Sequence, residues 1–346
     1  MTPSADMFDF PDYVHYILFG LGFAVLIKGA DLLIDGASAI ARRLSVSDLV
    51  IGLTIVSFGT SAPELVVNMI ASLNGNADLA VGNILGSNIA NILLILGIAA
   101  LIAPLGVQQN TVFKEIPMSL LAALVLAVLA NDALFNTAAI PGYEESVNLL
   151  GRGDGLILIS FFIIFLYYTY GLIQSDKQAA SVAVEQVETG ALEMSNTKAV
   201  VFILLGLVGL FFGGQWIVTG ATMISRSLGL SEALIGIAIV GVGTSLPEVA
   251  ASAMAAAKGK ADLAIGNVVG SNIFNIFWVL GLSSVIQPIP YDTAINGDML
   301  MTIFASLCLL VFLWARPPFR LHRFRGSFFL LMYVTYLVVR VVWGES

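Results

Sequence analysis

The chain has 346 residues, of which 58% are hydrophobic and 11% are charged, and its formal net charge is −8. Soluble domains carry about 25% charged residues, so this composition excludes an ordinary soluble protein and predicts an integral membrane protein. A net negative charge also argues against a nucleic acid partner, and we expect none.

Ten apolar segments are long enough to cross a membrane as helices of about 20 residues. In chain order they are residues 13–35, 46–73, 78–103, 113–132, 154–175, 198–226, 231–257, 262–288, 297–315 and 326–343. We therefore predict an all-α membrane protein with ten transmembrane helices in contact with the lipid bilayer.

Basic residues lie mainly in alternate loops between these spans. One set of loops contains Arg42, Arg43, Lys114, Lys177, Lys198, Lys258, Lys260, Arg316, Arg320, Arg323 and Arg325. The other set, together with both termini, contains Arg152, Arg226 and Arg340. By the positive-inside rule, this imbalance predicts that both termini of the multi-pass protein lie outside.

The chain contains an internal repeat. Without any gap, residues 51–100 align with residues 235–284 at 25 identical positions. Each copy has five predicted spans, and because five is odd, the second copy enters the membrane in the opposite sense. Such inverted-topology repeats place a binding site near the midplane, between the halves. We predict a first five-helix repeat at 1–175, a cytoplasmic linker at 176–197 and a second five-helix repeat at 198–346.

Both copies contain a Gly-Thr-Ser-X-Pro-Glu motif, at residues 59–64 and 243–248. Proline has no backbone N–H, so Pro63 and Pro247 each leave a helical carbonyl without its usual partner. In a membrane, such a carbonyl is tolerated where it lines a cavity or meets a cation. We therefore predict that helices 2 and 7 are broken. The oxygen-bearing side chains at the two breaks are those of Thr60, Ser61 and Glu64 and of Thr244, Ser245 and Glu248.

A second repeated element places polar residues four positions apart on the next span. These are Asn83, Ser87 and Asn91 in the first copy and Asn267, Ser271 and Asn275 in the second. Residues at this spacing share one helix face. A serine or asparagine in a membrane helix most often bonds a neighbouring helix, which is our interpretation of Asn83, Asn88, Asn267 and Asn272. The residues that continue the stripe in both copies are predicted to bind ions, namely Ser87, Asn91, Ser271 and Asn275.

Two acids inside apolar spans, without a nearby basic residue, indicate bound cations, because burying a carboxylate in a bilayer is costly. Carboxylate, hydroxyl, amide and carbonyl oxygens are hard ligands that suit Ca²⁺ and Na⁺ rather than copper or zinc. We find no nucleophile–base pair, phosphate loop or cofactor motif, so we expect neither an enzyme nor a prosthetic cofactor.

At this point the residues indicate a family. The paired GTSxPE and GNxxGSNIxN segments resemble the α-repeats of the cation/calcium antiporter superfamily, and most closely its sodium/calcium exchanger branch of the small prokaryotic type. The resemblance covers about 36–102 and 220–286. It implies ten helices, a binding centre formed by helices 2, 3, 7 and 8, and a location in the prokaryotic inner membrane.

The resemblance also implies a role for each site residue. Glu64 and Glu248 would coordinate calcium and share in sodium binding, and Thr60 and Thr244 would contribute carbonyl or hydroxyl oxygens. Sodium ligands at the flanking positions would be the side chains of Ser87 and Ser271 and the carbonyls of Ser57 and Gly241. Asn91 and Asn275 would line the middle position, and Ser61 and Ser245 belong to the motif with a less direct role.

Position 275 departs from part of the family. Some prokaryotic exchangers and the potassium-dependent branch carry aspartate at the position of Asn275, whereas both copies here have asparagine. Two carboxylates then give the site a formal charge of −2, which balances one Ca²⁺ or two Na⁺. The amides favour sodium coupling over potassium coupling.

These features predict a secondary antiporter that exchanges Na⁺ for Ca²⁺ by alternating access at one shared, oxygen-lined site. The residues leave open a proton-coupled or other-cation antiporter of the same architecture, and a cation channel that uses the two glutamates for selectivity. They also leave open whether the chain forms a homo-oligomer.

Overall fold

The computed structural model describes residues 11–73, 77–132, 148–183, 194–229, 235, 241–314 and 319–343. Over these residues the chain is almost entirely helical, and its four strands are two residues long each. Eight of the described helices are long and apolar enough to cross a membrane, and the number is nine if a bent pair counts as one span. The prediction of an all-helical, multi-pass membrane protein is therefore confirmed.

The described helices of the first half follow the predicted spans. They are α1 (Asp12–Leu44), α2 (Asp48–Thr60), α3 (Ala62–Leu73), α4 (Ala77–Ala90, continuing through Asn91–Ile95 to Leu96–Ile102), α5 (Thr111–Ala130) and α6 (Arg152–Ala183). Asn91–Ile95 is a π-helical turn. Because α6 continues to Ala183, the predicted linker at 176–197 begins inside a helix.

The second half has the same order of elements. Its described helices are α7 (Asn196–Ser227), α8 (Leu246–Ala257), α9 (Ala261–Ile286), α10 (Asn296–Trp314) and α11 (Arg323–Trp343), with a short helical turn at Gly241–Gly243 before α8. Within α9, Phe274–Leu280 is π-helical. The predicted span 231–257 lies partly outside the described residues, at 231–234 and 236–240.

Helices α4 and α9 occupy the centre of the molecule. In each of them 78% of the apolar span is buried, whereas the share in the other long spans is between 17% and 39%. A helix that is apolar on all sides is expected either facing lipid or in a protein core. The high buried share shows that α4 and α9 lie in the core of the helix bundle. The polar stripes predicted from the sequence therefore lie on the two central helices.

The outer helices α1 and α7 pack together along a seam of glycines that recur every seven residues. The glycines are Gly22, Gly29 and Gly36 on α1 and Gly206, Gly213 and Gly220 on α7. A Cβ atom on Gly29 would lie 2.8 Å from the Leu210 nitrogen, and one on Gly36 would lie 2.7 Å from the Ala199 oxygen. The contact moves back along α7 as it advances along α1, so the two helices are antiparallel. Their backbones approach closely because no side chain intervenes.

Ion pairs join α1 to the end of α8. Lys258 Nζ lies 2.6 Å from Asp31 Oδ1 and 2.6 Å from Asp35 Oδ1. Partial burial by itself lowers the pKa of Lys258, but the hydrogen bonds that it donates to Asp31 and Asp35 outweigh this effect and raise the pKa above its ordinary value. Lys258 therefore remains charged and tethers the two helices. Lys28 also pairs with Asp31, at 2.5 Å.

Two short antiparallel strand pairs connect the halves. Leu105–Gly106 pairs with Arg320–Leu321, and Leu149–Leu150 pairs with Ile289–Pro290. Each pair takes one strand from a loop of the first half and one from a loop of the second half. The halves are therefore joined by backbone hydrogen bonds as well as by helix packing.

The glycine seam gives a direct test of this packing. Gly29→Ala would place a methyl group 2.8 Å from a backbone atom of α7, and overpacking of this kind costs about 1–3 kcal/mol. We expect a lower apparent melting temperature in detergent. Gly20→Ala on the same helix is the matched control, because a Cβ there meets nothing within 4 Å. Equal melting temperatures for the two variants would contradict the close packing of α1 against α7 at these glycines.

Candidate functional site

The first candidate element lies where α2 ends and α3 begins. The two helices are bent by 45° at this break, and Ser61 is the turn residue between them. Pro63 follows within the first turn of α3 and cannot donate a backbone hydrogen bond to the carbonyl of Gly59. The helix changes direction there, and the side chains of the Gly-Thr-Ser-X-Pro-Glu motif are displayed around the bend.

The second copy has the same local arrangement. Thr244 and Ser245 form a turn between Gly241–Gly243 and α8. The Ser245 N–H donates to the Val242 carbonyl at 3.1 Å, which is a tighter, 3₁₀-type bond. Pro247 again stands in the first turn of the following helix.

Both motif glutamates are buried. Glu64 and Glu248 are each 1% exposed, and each lies in the first turn of its helix. Ser61, three residues before Glu64, donates a 2.9 Å hydrogen bond to Glu248 Oε1, so the first motif lies against the second glutamate. None of the ion pairs found in the described part of the chain includes either glutamate. Within these residues, two buried acids therefore share one region without a basic counter-charge.

Ser61 links the two halves of the site. Its hydroxyl lies 2.9 Å from Glu248 Oε1, to which it donates, and 2.9 Å from the hydroxyl of Ser271. All three residues are buried. This contact joins the break between α2 and α3 to both polar elements of the second copy.

The motif threonines contact the central helices across the repeat. The Thr60 hydroxyl donates to Asn267 Oδ1 at 3.1 Å, and the Thr244 hydroxyl donates to Asn83 Oδ1 at 3.5 Å. The two contacts are equivalent under the repeat. They confirm that Asn267 and Asn83 bond neighbouring helices, as the sequence indicated.

The asparagines of α4 and α9 also pair across the repeat. Asn91 Nδ2 donates to Asn272 Oδ1 at 2.9 Å, and Asn275 Nδ2 donates to Asn88 Oδ1 at 3.1 Å. The interhelical role predicted for Asn88 and Asn272 is therefore confirmed. The amide oxygens of Asn91 and Asn275 are left on the opposite side of each amide group.

Several oxygens of these residues are buried and accept or donate no hydrogen bond within the described structure. Native proteins leave few buried polar atoms unpaired, so each one calls for an explanation. The oxygens in question are Glu64 Oε2, Glu248 Oε2, Ser87 Oγ, Ser245 Oγ, Asn91 Oδ1 and Asn275 Oδ1. All six belong to residues that the sequence predicts to bind ions. A cluster of free oxygens that includes two carboxylates is suited chemically to a hard cation.

The two predicted carbonyl ligands stand at the start of each break. The Ser57 carbonyl accepts the Ser61 N–H at 3.0 Å and lies 3.4 Å from the Thr60 hydroxyl oxygen. Gly241 begins the short helical turn before Thr244. Their predicted role as sodium ligands stays a prediction.

Sequence reasoning missed one polar position next to the glutamates. Asn68 Nδ2 donates to the Glu64 carbonyl at 2.7 Å, and Ser252 accepts a 2.9 Å hydrogen bond from Asn267. Both residues are fully buried. They occupy the same position of the repeat, one helical turn after each glutamate, so a search for paired polar residues would have found them.

The asymmetric role of Ser61 can be tested in cation-free buffer. Ser61→Ala removes a donor from Glu248 and a partner from Ser271, and loss of a buried hydrogen bond costs about 1–3 kcal/mol. We expect a lower apparent melting temperature with choline as the only added cation and a calcium chelator present. Ser245→Ala removes a hydroxyl without a described partner and should change the melting temperature little. Similar shifts for the two variants would argue against the contact.

Known proteins are similar to this chain over both of its halves. A sequence profile of the family described as "Sodium/calcium exchanger protein" matches residues 14–171 and 198–342. The chain is 37% identical to the putative antiporter CaxA of Alkalimonas amylolytica, over 91% of this chain and 95% of that protein. It is 31% identical to the sodium/calcium exchanger MaX1 of Methanosarcina acetivorans, over 94% of this chain and 98% of that protein.

A solved structure is similar over nearly the whole fold. The sodium-calcium exchanger NCX_Mj, soaked with 2.5 mM Na⁺ and 1 mM Sr²⁺, matches with a TM-score of 0.77 at 31% identity, over 94% of this chain and 98% of that chain. These relatives are transporters by name, not enzymes. The family profile covers both halves of the chain, including both Gly-Thr-Ser-X-Pro-Glu motifs. The chain therefore belongs to the sodium/calcium exchanger family of the cation/calcium antiporter superfamily and is of the small prokaryotic type.

Proposed function

We propose that this protein exchanges Na⁺ for Ca²⁺ across the membrane by alternating access at one site. The observation that carries the proposal is that six buried oxygens of the predicted site residues have no hydrogen-bond partner in the described structure, two of them from carboxylates. In hydrocarbon surroundings such oxygens are costly. Cations that enter from either side of the membrane would satisfy them.

The charge of the site supports competition between the two ions. Glu64 and Glu248 supply a formal charge of −2, and the stripe ends Asn91 and Asn275 are neutral. One Ca²⁺ or two Na⁺ balances this charge. An empty site retains two buried charges that are costly to move through the membrane. Exchange, rather than leakage, follows from that penalty.

The proposed ligand set includes all twelve residues predicted from the sequence. Glu64 and Glu248 would bind Ca²⁺ and share Na⁺, with oxygens of Thr60 and Thr244 beside them. The remaining ligands would be Ser57, Ser61, Ser87, Asn91, Gly241, Ser245, Ser271 and Asn275. The two ions are the transported substrates, and a prosthetic cofactor has no role in this proposal.

The proposed architecture is ten transmembrane helices in two inverted five-helix repeats, at 1–175 and 198–346, joined by a cytoplasmic linker at 176–197. The antiparallel packing of α1 and α7 supports the inversion, because these helices begin equivalent repeats. The 45° bend between α2 and α3 supports a broken helix 2, and the turn at Thr244 supports a broken helix 7. The loop charges support an orientation with both termini outside, and the family supports a location in the prokaryotic inner membrane.

Transport in proteoliposomes tests the function. Vesicles loaded with Na⁺ should accumulate external ⁴⁵Ca²⁺, and dissipating the Na⁺ gradient should abolish the uptake. Glu64→Gln and Glu248→Gln each remove one charge from the site, so we expect at least a roughly tenfold loss, equivalent to about 1.4 kcal/mol or more of binding energy. Uptake by these variants at the wild-type rate would overturn the proposal.

A buried glutamate elsewhere provides a matched control. Glu115 in α5 is fully buried and accepts a hydrogen bond from Tyr168 rather than from the site residues. Glu115→Gln should therefore retain Na⁺-driven uptake. Ca²⁺ uptake driven by a pH gradient without Na⁺ would instead indicate a proton-coupled antiporter, and unitary current steps in a planar bilayer would indicate a channel.

A further inference from the structure

Asn88 and Asn272 form the centre of a reciprocal set of four hydrogen bonds between α4 and α9. Asn88 Nδ2 donates to the Asn272 carbonyl at 3.3 Å, and Asn272 Nδ2 donates to the Asn88 carbonyl at 3.4 Å. Their side-chain oxygens accept from Asn275 at 3.1 Å and from Asn91 at 2.9 Å. All four asparagines are at most 2% exposed.

The direction of these bonds is determined by the backbone. A carbonyl oxygen can only accept, so the side-chain NH₂ of Asn88 must face the Asn272 carbonyl, and its oxygen must face away from it. That oxygen can only accept as well, so Asn275 must turn its NH₂ toward Asn88. The same reasoning fixes Asn272 and then Asn91. Two backbone carbonyls thus set the orientation of four amide groups.

The orientation decides which atom of the outer amides remains free. The NH₂ groups of Asn91 and Asn275 are used on Asn272 and Asn88, so each keeps its oxygen on the other side. Those two oxygens are buried without a hydrogen-bond partner in the described structure. A flipped amide would present N–H donors there, and N–H donors repel a cation. An asparagine serves as a cation ligand only in the orientation seen here.

We propose that Asn88 and Asn272 are positioning residues that hold the Asn275 and Asn91 amides with their oxygens toward the transported cation. The proposal rests on the cation site proposed above, and it adds two residues that touch no cation themselves. It explains why asparagine occurs twice within four residues in each copy. One asparagine offers the oxygen, and one from the other half orients it.

The pairing is crossed between the repeats, and this makes the proposal specific. Asn88 of the first half orients Asn275 of the second, and Asn272 orients Asn91. An effect of Asn88 on cation binding should therefore pass through Asn275 and not through Asn91. A general loss of packing between α4 and α9 would show no such preference.

The first experiment measures cation binding to the purified full-length protein, as the rise of its melting temperature with added Na⁺ and, separately, Ca²⁺. Asn88→Ala removes the acceptor for the Asn275 amide, and Asn272→Ala removes the acceptor for the Asn91 amide. The released amide can then turn an N–H toward the cation or leave a buried polar group unpaired, and either change weakens cation binding. We expect the concentration of Na⁺ that gives half the effect to rise at least about fivefold. Values within twofold of wild type would overturn the proposal.

The second experiment uses rescue by a carboxylate, which has two oxygens and no N–H and so needs no orientation. In an Asn275→Asp background, Asn88→Ala should change the half-effect concentration by less than about twofold. In an Asn91→Asp background, the fivefold penalty of Asn88→Ala should remain. The reverse pattern is expected for Asn272→Ala. Equal rescue by both aspartates would overturn the crossed assignment.

A third variant keeps the test decisive where an alanine variant does not fold. Asn88→Gln retains both an NH₂ donor for the Asn272 carbonyl and an oxygen acceptor for Asn275 without adding charge, so the half-effect concentration of Na⁺ should rise less than fivefold, whereas a rise of fivefold or more would overturn the proposal. The proposed function is tested separately. A wild-type protein that binds both cations but shows no Na⁺-driven Ca²⁺ uptake would refute the exchange function, and the binding experiments would still test the orientation of the amides. A wild-type protein that responds to neither cation refutes both.

Discussion

The burial of two carboxylates without a basic partner among the described residues is the constraint on which the other features of the site depend. Glu64 and Glu248 are each 1% exposed, and an acid at the centre of a bilayer costs at least about 2.5 kcal/mol. Each lies in the first turn of a helix, where the helix dipole favours negative charge. That contribution is typically 0.3–1 kcal/mol per group, which is smaller than the cost. Cations bound at the proposed site would supply further compensation, and the adjacent free oxygens are suited to bind them.

The central helices fix the amide groups of the proposed site through hydrogen bonds that its free hydroxyls lack. Asn88 and Asn272 tie α4 to α9 through backbone carbonyls, so the amide oxygens beside them have one orientation. The hydroxyls of Ser87 and Ser245, in contrast, have no described partner and can rotate to suit an ion. A site of this kind combines fixed amide oxygens with adjustable hydroxyls. Such a combination can accommodate two ions of similar size and different charge.

Much of the fold and the residue types of the candidate site could be predicted because the sequence contains two copies of the same motifs. Pro63 predicts the bend between α2 and α3 and Pro247 the turn at Thr244, and the four-residue spacing of the stripes predicts one helix face. The partner of each residue could not be predicted in this way. Ser61 and Ser245 are chemically identical and occupy equivalent positions, yet only Ser61 contacts the glutamate of the other half. Such contacts depend on the relative position of the two halves, which no local pattern contains.

The sequence differences between the repeats explain why the two ends of the molecule are not equivalent. Lys258 pairs with Asp31 and Asp35, whereas the equivalent sequence positions in the other repeat are uncharged, namely Asn74, Gln215 and Thr219. Two access states related by exchange of the repeats would have equal energy if the repeats were identical. Partly exposed ion pairs contribute about 0.2–1 kcal/mol each, so these two pairs would change the balance by about twofold to thirtyfold. A bias of that size would stay within the range that differential cation binding can reverse, which would leave control of the proposed exchange to the ions.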